Sequence, residues 1–272
     1  MNWRKIGEEI SEGLFPSNIY CEVCGALIDR SRPYSLCDEC VRKMHWITGR
    51  SCEKCGKALP DTYKGRICYD CIRLEHSFTR GWSCLTYGYF ERQLMMGIKY
   101  SGKGYLAVKM GEVLFDRMEA LIAKADSLNI RPFDMVVPVP VSKGRLARRG
   151  YNQSELMARQ MVKQWKDFGR AVPALQGDIL IRKRETEMLR SMNPEERRLA
   201  LGGAFGVKFG REKQLAGKTI LLVDDAALMN VLLHALVAPP HEIPVFRHRV
   251  PVIGGTARDE VVDGEELFLC HK

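Results

Sequence analysis

Between residues 84 and 225 the apolar positions follow two alternating periods. ERQLMMGIKY (91–100) and YLAVKMGEVLFDRMEALIAKA (105–125) read as amphipathic helices, with Leu106, Met110, Val113, Leu114 and Met118 on one stripe. LTYGYF (85–90) reads as a strand, and DMVVPVP (134–140) is a short apolar run ending in prolines. NQSELMARQMVKQW (152–165) is a helix opened by Asn152, DILI (178–181) is a strand, and KTILLVDD (218–225) is a strand ending in two aspartates. Continuous runs such as VVPV and ILLV suit parallel strands with helices over both faces of the sheet. The pattern predicts an α/β unit.

The flanks differ. Residues 1–80 are rich in turn formers and have little apolar periodicity, so they cannot build a core alone. Residues 226–272 hold a brief helical stretch, LMNVLLHAL, and then APPHEIPVFRHRVPVIGG, whose scattered prolines suit neither a helix nor a central strand. Three units are expected: 1–80, 81–225 and an atypical tail, 226–272. No apolar run approaches the roughly 18 residues of a membrane span, and Glu8, Glu9 and Glu12 interrupt the start where an export signal would be apolar. A cytoplasmic protein without membrane insertion is the expectation. Hydrophobic residues at 46% and charged residues at 28% suit a globular chain of 272 residues and exclude wholesale disorder.

In a reducing interior the ten cysteines point to thiolate or metal chemistry rather than disulfides. Eight of them form four CxxC pairs, Cys21/Cys24, Cys37/Cys40, Cys52/Cys55 and Cys68/Cys71, separated by twelve, eleven and twelve residues. Each pair turns two sulfurs toward one point, and two pairs complete a tetrahedral thiolate cage. Gly25 and Gly56, each directly after a pair, suit knuckles that need a positive φ. Two structural zinc sites are predicted, paired most simply in chain order, though first with third and second with fourth satisfies the same count. A redox CxxC would not recur four times, and an iron–sulfur cluster is the minor alternative. His45 and His76 are expected to be ordinary surface residues, and Cys84 and Cys270 core or incidental.

The net charge of +9 is concentrated: +2 over 1–80, +9 over 81–225 and −2 over 226–272. A basic middle suits a polyanion, nucleic acid or a pyrophosphate-bearing molecule, while a solvated positive face is the plainer reading. Asp224 and Asp225 end a strand where carboxylates can hold sugar hydroxyls or a metal. In VPVPVSKGRLARRGYNQ a strand runs into a loop bearing Lys143, Arg145, Arg148 and Arg149, an arrangement suited to gripping pyrophosphate.

These segments, with QLMMGIKYSGK and RKRETEMLRSMNPEERRLALGGAF behind the cysteine pairs, resemble the ComF family of late competence proteins over residues 18–225. The RRGYNQ element after VPVP is the most specific part. The resemblance implies a type I phosphoribosyltransferase-like parallel sheet behind an N-terminal double zinc ribbon. It also implies an accessory role in DNA uptake during natural transformation, with single-stranded DNA and a competence helicase as partners. By the same resemblance, Asp224 and Asp225 match the acidic pair that contacts the ribose of phosphoribosyl pyrophosphate, bound with magnesium. Arg148, Arg149 and Gly150 match its pyrophosphate loop, Arg182, Arg184 and Thr186 a mobile region over the site, and Lys99 the lysine of an early helix. An active magnesium-dependent phosphoribosyltransferase is the alternative function. After the acidic pair, however, the chain has Ala226, Ala227 and Leu228 in place of the fold's Thr-Thr-Gly turn, which counts against catalysis. Leu189 and Ala200 replace a family Gln and Asn. A changed reading frame near 226 would explain both the lost turn and the proline-scattered tail.

Overall fold

A computed structural model of the chain describes residues 19–74, 76, 78–123, 133–186, 194–225 and 234–237. Two short helices, α1 (Asp38–Lys43) and α2 (Tyr69–Arg73), belong to the cysteine-rich region. They are followed by α3 (Tyr89–Tyr100) and α4 (Gly104–Ile122), then β1 (Met135–Pro138), α5 (Lys143–Arg149), α6 (Gln153–Asp167) and β2 (Ala174–Leu175). Next come β3 (Leu180–Arg182), α7 (Pro194–Leu201), β4 (Phe205–Val207), β5 (Thr219–Val223) and β6 (His234–Val237).

The main sheet has the order β2-β1-β5-β6. β1 pairs in parallel with both β2 and β5, and its register sets Met135 against Ile220 and Pro138 against Val223. Both central strands are buried, as their unbroken apolar runs require. Their side chains alternate between two cores. Val136, Leu221 and Val223 join the cluster built by α4 and α6, which includes Leu106, Met110, Leu114, Met118, Met157, Met161 and Trp165. Met135, Val137, Ile220 and Leu222 face a second cluster with Ile179 and Leu215. Among the described residues this second face is covered by the antiparallel β3–β4 pair and the segment around Leu215. The expected helix on that side is absent there.

Four expectations change. LTYGYF forms no strand: only Leu85 bridges, to Trp46, and Gly88 already caps α3. The β-favouring aromatics lose because no strand lies alongside them, whereas a helix buries Leu94, Met95 and Ile98. The expected loop over 143–149 is a helix, with Ser142 as its N-cap. The end of LMNVLLHAL is strand β6, pairing antiparallel with β5 from Thr219–Val237 to Leu222–His234; an apolar Ala-Leu-Val stretch satisfies the open backbone edge of β5. Finally, His76 is buried at 7% exposure, its ring 4.9 Å from Phe78, and burial pulls its pKa down to about 4. The other parts of 226–272, including Ala226, Ala227, Leu228 and Cys270, lie outside the described residues, as does Leu189.

Candidate functional site

Cys21, Cys24, Cys37 and Cys40 bring their sulfurs within 4.8 Å of one another, and so do Cys52, Cys55, Cys68 and Cys71. The pairing therefore follows chain order. Cys24 and Cys37 are 3.7 Å apart, as are Cys55 and Cys68. Sulfurs about 2.3 Å from a tetrahedral zinc lie about 3.8 Å from each other, so the spacing fits a metal cage. It is far too long for a disulfide at about 2.05 Å, and none of these cysteines is disulfide-bonded. Gly25 and Gly56 have φ of 73° and 77°, as the knuckles require. Four thiolates close the coordination shell, so the zinc at each site organises structure and leaves no position for a substrate. Neither histidine joins a cage. His45, expected at the surface, is exposed but pairs its Nδ1 with Glu91 Oε1 at 3.2 Å, and its backbone N–H donates to the same carboxylate at 2.7 Å.

The second cluster sits at the carboxyl edge of the main sheet. Because β1 and β5 are parallel, the chain leaving Pro138 and the chain leaving Val223 emerge on the same side. The structure therefore brings Asp224 and Asp225 to the edge that also carries α5 with Arg145, Arg148 and Arg149. Lys99 joins the two: its Nζ lies 2.9 Å from Asp225 Oδ2, and its carbonyl accepts a hydrogen bond from Arg149 Nε at 3.2 Å. Ser154 donates its hydroxyl to Asp224 Oδ1 at 3.0 Å, and the Asp225 N–H donates to the same oxygen at 2.8 Å.

The two carboxyls are driven apart. Burial and then the charge on Asp225 push Asp224 up to about 7. Burial alone would raise Asp225 too, but the Lys99 ammonium outweighs it and holds that carboxyl below the usual aspartate value. Lys99 is raised in turn: burial opposes its charge and the attraction of Asp225 overrides that. One acid whose protonated form is favoured thus stands beside one that stays ionised.

The RRGYNQ segment braces this edge. Gly150 closes α5 in the left-handed region with φ 81°, a turn that a side chain would strain. Tyr151 donates its hydroxyl to Ile98 O at 2.7 Å, and Asn152 donates its amide to Val139 O at 3.1 Å while capping α6 through Ser154 N. Arg149 also bonds Gln153 Oε1. Arg148 is exposed, with Nε 3.4 Å from Gly144 O.

The 182–186 segment lies against α5. Glu185 accepts the Gly144 N–H at 3.0 Å, Arg145 donates to Thr186 O at 3.2 Å, and Arg182 donates to the Thr186 hydroxyl. Arg182 also lies 4.8 Å over the Phe205 ring, and Arg184 bonds Ala200 O at 2.8 Å. Among the described residues no third carboxylate or imidazole joins the acidic pair as a metal ligand set.

Residues 10–72 match the family model of the double zinc ribbon domain. Over 92 residues the chain is 32% identical to Competence protein F of Haemophilus influenzae, a stretch covering 34% of this chain and 37% of that protein. Both findings support the ComF resemblance. The chain thus matches well under half of that relative's length, and no solved structure matches it. Within a ComF-type frame, Ser154, Asn152 and Tyr151 are site-building residues that the motif string contained but that basic-residue reasoning passed over. Their signal was position: they lie just after the arginines, where Asn152 caps α6 and Ser154 sits in its first turn. Tyr69 is 70% exposed and Tyr87 39%, whereas Trp82 is only 5% exposed and packs against Phe133. Trp82 belongs to the core.

Proposed function

We propose that the protein is a cytoplasmic accessory of DNA uptake in natural transformation, holding single-stranded DNA and working with a competence helicase. The similarity to Competence protein F carries this reading. The second ribbon supports it physically. Tyr69 presents an open ring 5.1 Å from Tyr63, and Lys64 and Arg73, both exposed, lie near them along the chain. Such a platform stacks bases of any sequence while the cations track the backbone, at about 1–3 kcal/mol per stacked base. The excess charge of the middle region adds sequence-independent attraction.

The test is fluorescence anisotropy with a labelled oligothymidylate at rising salt. The expected outcome is an affinity that falls steeply with salt, by about 0.7 log units per contacted phosphate per tenfold change, and a 5- to 100-fold loss in Tyr69→Ala. Absence of binding at low salt would overturn the reading.

A second reading, magnesium-dependent phosphoribosyl transfer by a domain spanning 81–225, is favoured by one observation. Asp224 and Asp225 share their sheet edge with Arg148, Arg149 and Gly150, and with Arg182, Arg184 and Thr186 through α5. In such a site the carboxyls would accept the ribose hydroxyls, and the basic groups would neutralise the departing pyrophosphate. Magnesium would supply charge on the pyrophosphate oxygens. Calorimetry with phosphoribosyl pyrophosphate and magnesium tests this; heat that vanishes in Asp225→Asn is expected, and no heat at millimolar ligand counts against it.

A further inference from the structure

Away from both the cysteine cages and the sheet edge, a cleft of about 200 Å³ opens where the first ribbon meets α4. Tyr34, Trp46, Thr48, Asp116 and Arg117 form its rim, with Cys84 and Val113 among the apolar groups lining it. Four observations set it apart. The Tyr34 and Trp46 rings stand 5.9 Å apart at 47°, making two walls of a corner. Tyr34 has φ of 61° and Ser35 of 59°, left-handed conformations that a tyrosine adopts only when its surroundings impose them. The Tyr34 hydroxyl is fixed by Asp116, so the strained residue is held in one orientation. And the Arg117 Nε is buried without a hydrogen-bond partner among the described residues.

We propose that this cleft seats one unpaired base of a single-stranded nucleic acid, an inference that rests on the DNA-binding reading. The volume falls below the roughly 300–1,000 Å³ of pockets for drug-sized ligands, which suits one ring system rather than a whole nucleotide. Faces of Tyr34 and Trp46 offer stacking surface, the Trp46 indole N–H being already committed to Val41 O at 2.7 Å. Adjacent Asp116 and Arg117 supply an acceptor and a donor at one wall. A base edge carries both kinds of group and satisfies them together, whereas an apolar side chain of a protein partner would strip water from both charges and return no hydrogen bond.

The experiment uses the full zinc-loaded chain and a 5-iododeoxyuridine oligonucleotide, cross-linked by light and mapped by mass spectrometry, alongside titration of tryptophan fluorescence with free deoxycytidine. Thr48→Leu, at an exposed rim position, narrows the cleft. Arg117→Met removes the donor. Cross-links at Tyr34 or Trp46 are expected, with an affinity loss of at least fivefold in Thr48→Leu and an unchanged salt slope, because stacking rather than a phosphate contact is removed. Oligonucleotide binding with cross-links only elsewhere would overturn the cleft proposal and leave the DNA reading standing. Fluorescence quenching by deoxycytidine, lost in both variants but without oligonucleotide binding, would support the cleft and overturn the DNA reading. Unchanged zinc content and melting temperature in Thr48→Leu exclude misfolding as the cause.

Discussion

The two ribbons use the same four-cysteine ligand set on loops of nearly equal length, yet they sit in different surroundings. In the first, Cys21, Cys40, Leu36 and Met44 belong to the same buried cluster as α3, α4 and α6. Backbone bonds continue the join, from Ile47 N to Cys84 O at 2.9 Å and from Thr86 N to His45 O at 2.8 Å. Glu22 clasps Lys103 at 2.7 Å and accepts the Tyr105 hydroxyl, and Tyr34 reaches Asp116. In the second ribbon, Cys52, Cys55, Cys68 and Phe78 form a small core of their own. Its contact with the rest includes Gly56, packed close against the backbone of Trp82. The first cage is therefore built into the main core, while the second is built into a small core of its own.

The largest test of this contrast is a pair of ligand substitutions. Cys40→Ser should cost about 4 kcal/mol or more, lowering the melting temperature by about 10 °C and loosening α3 and α4, because a structural zinc site contributes folding energy outright. Cys68→Ser should also lose one zinc by elemental analysis. Its main unfolding transition should nevertheless stay within about 1 kcal/mol of the parent. Equal losses in calorimetry would erase the contrast.

Gly56→Val comes next. A Cβ there would sit 2.6 Å from the Trp82 Cα at a φ of +77°. A cost of about 1–3 kcal/mol, with a change in tryptophan emission and retention of both zincs, would place the strain at the joint between the second ribbon and the core.

The acidic edge gives a smaller, pH-dependent effect that should be independent of the second ribbon. Asp224 is raised in the folded state, so between about pH 4 and pH 7 the native chain binds more protons than the unfolded one, and the contribution of this group to stability falls as pH rises. Asp224→Asn should flatten urea-derived stability across that window, and its effect should add to that of Cys68→Ser. Asp225 runs the other way: its depressed value gives stability above the unfolded pKa, lost as pH falls through the folded one. Steeper pH dependence in Asp224→Asn would contradict the assignment.

The smallest effect is expected from Glu22→Gln, which weakens the clasp on Lys103 and Tyr105 by about 1 kcal/mol. Denaturant midpoints should register it for the first ribbon and α4 together.

Much of this was legible in the chain. Cysteine spacing gave both cages because a tetrahedral site fixes sulfur separations whatever surrounds it. The runs MVVP and TILLV announced buried strands, since only a strand covered on both sides tolerates unbroken apolar residues. Pairing order was not legible, because spacing alone permits two assignments and only folding brings Cys24 beside Cys37. Nor was the role of Lys99, Ser154 and Asn152 as braces, which depends on three separate elements converging. LTYGYF misled because local β propensity ignores whether a neighbouring strand exists.

The clasp of Glu22 on the start of α4 and of Tyr34 on Asp116 further along it bears on how such proteins can be cut and recombined. The visible seam in composition near residue 80 is not where the physical joint lies, for a knife placed there would leave raw greasy surface on both fragments. Grafting or exchanging the later cysteine knuckle should be tolerated, whereas the earlier one must travel with the helices it splints.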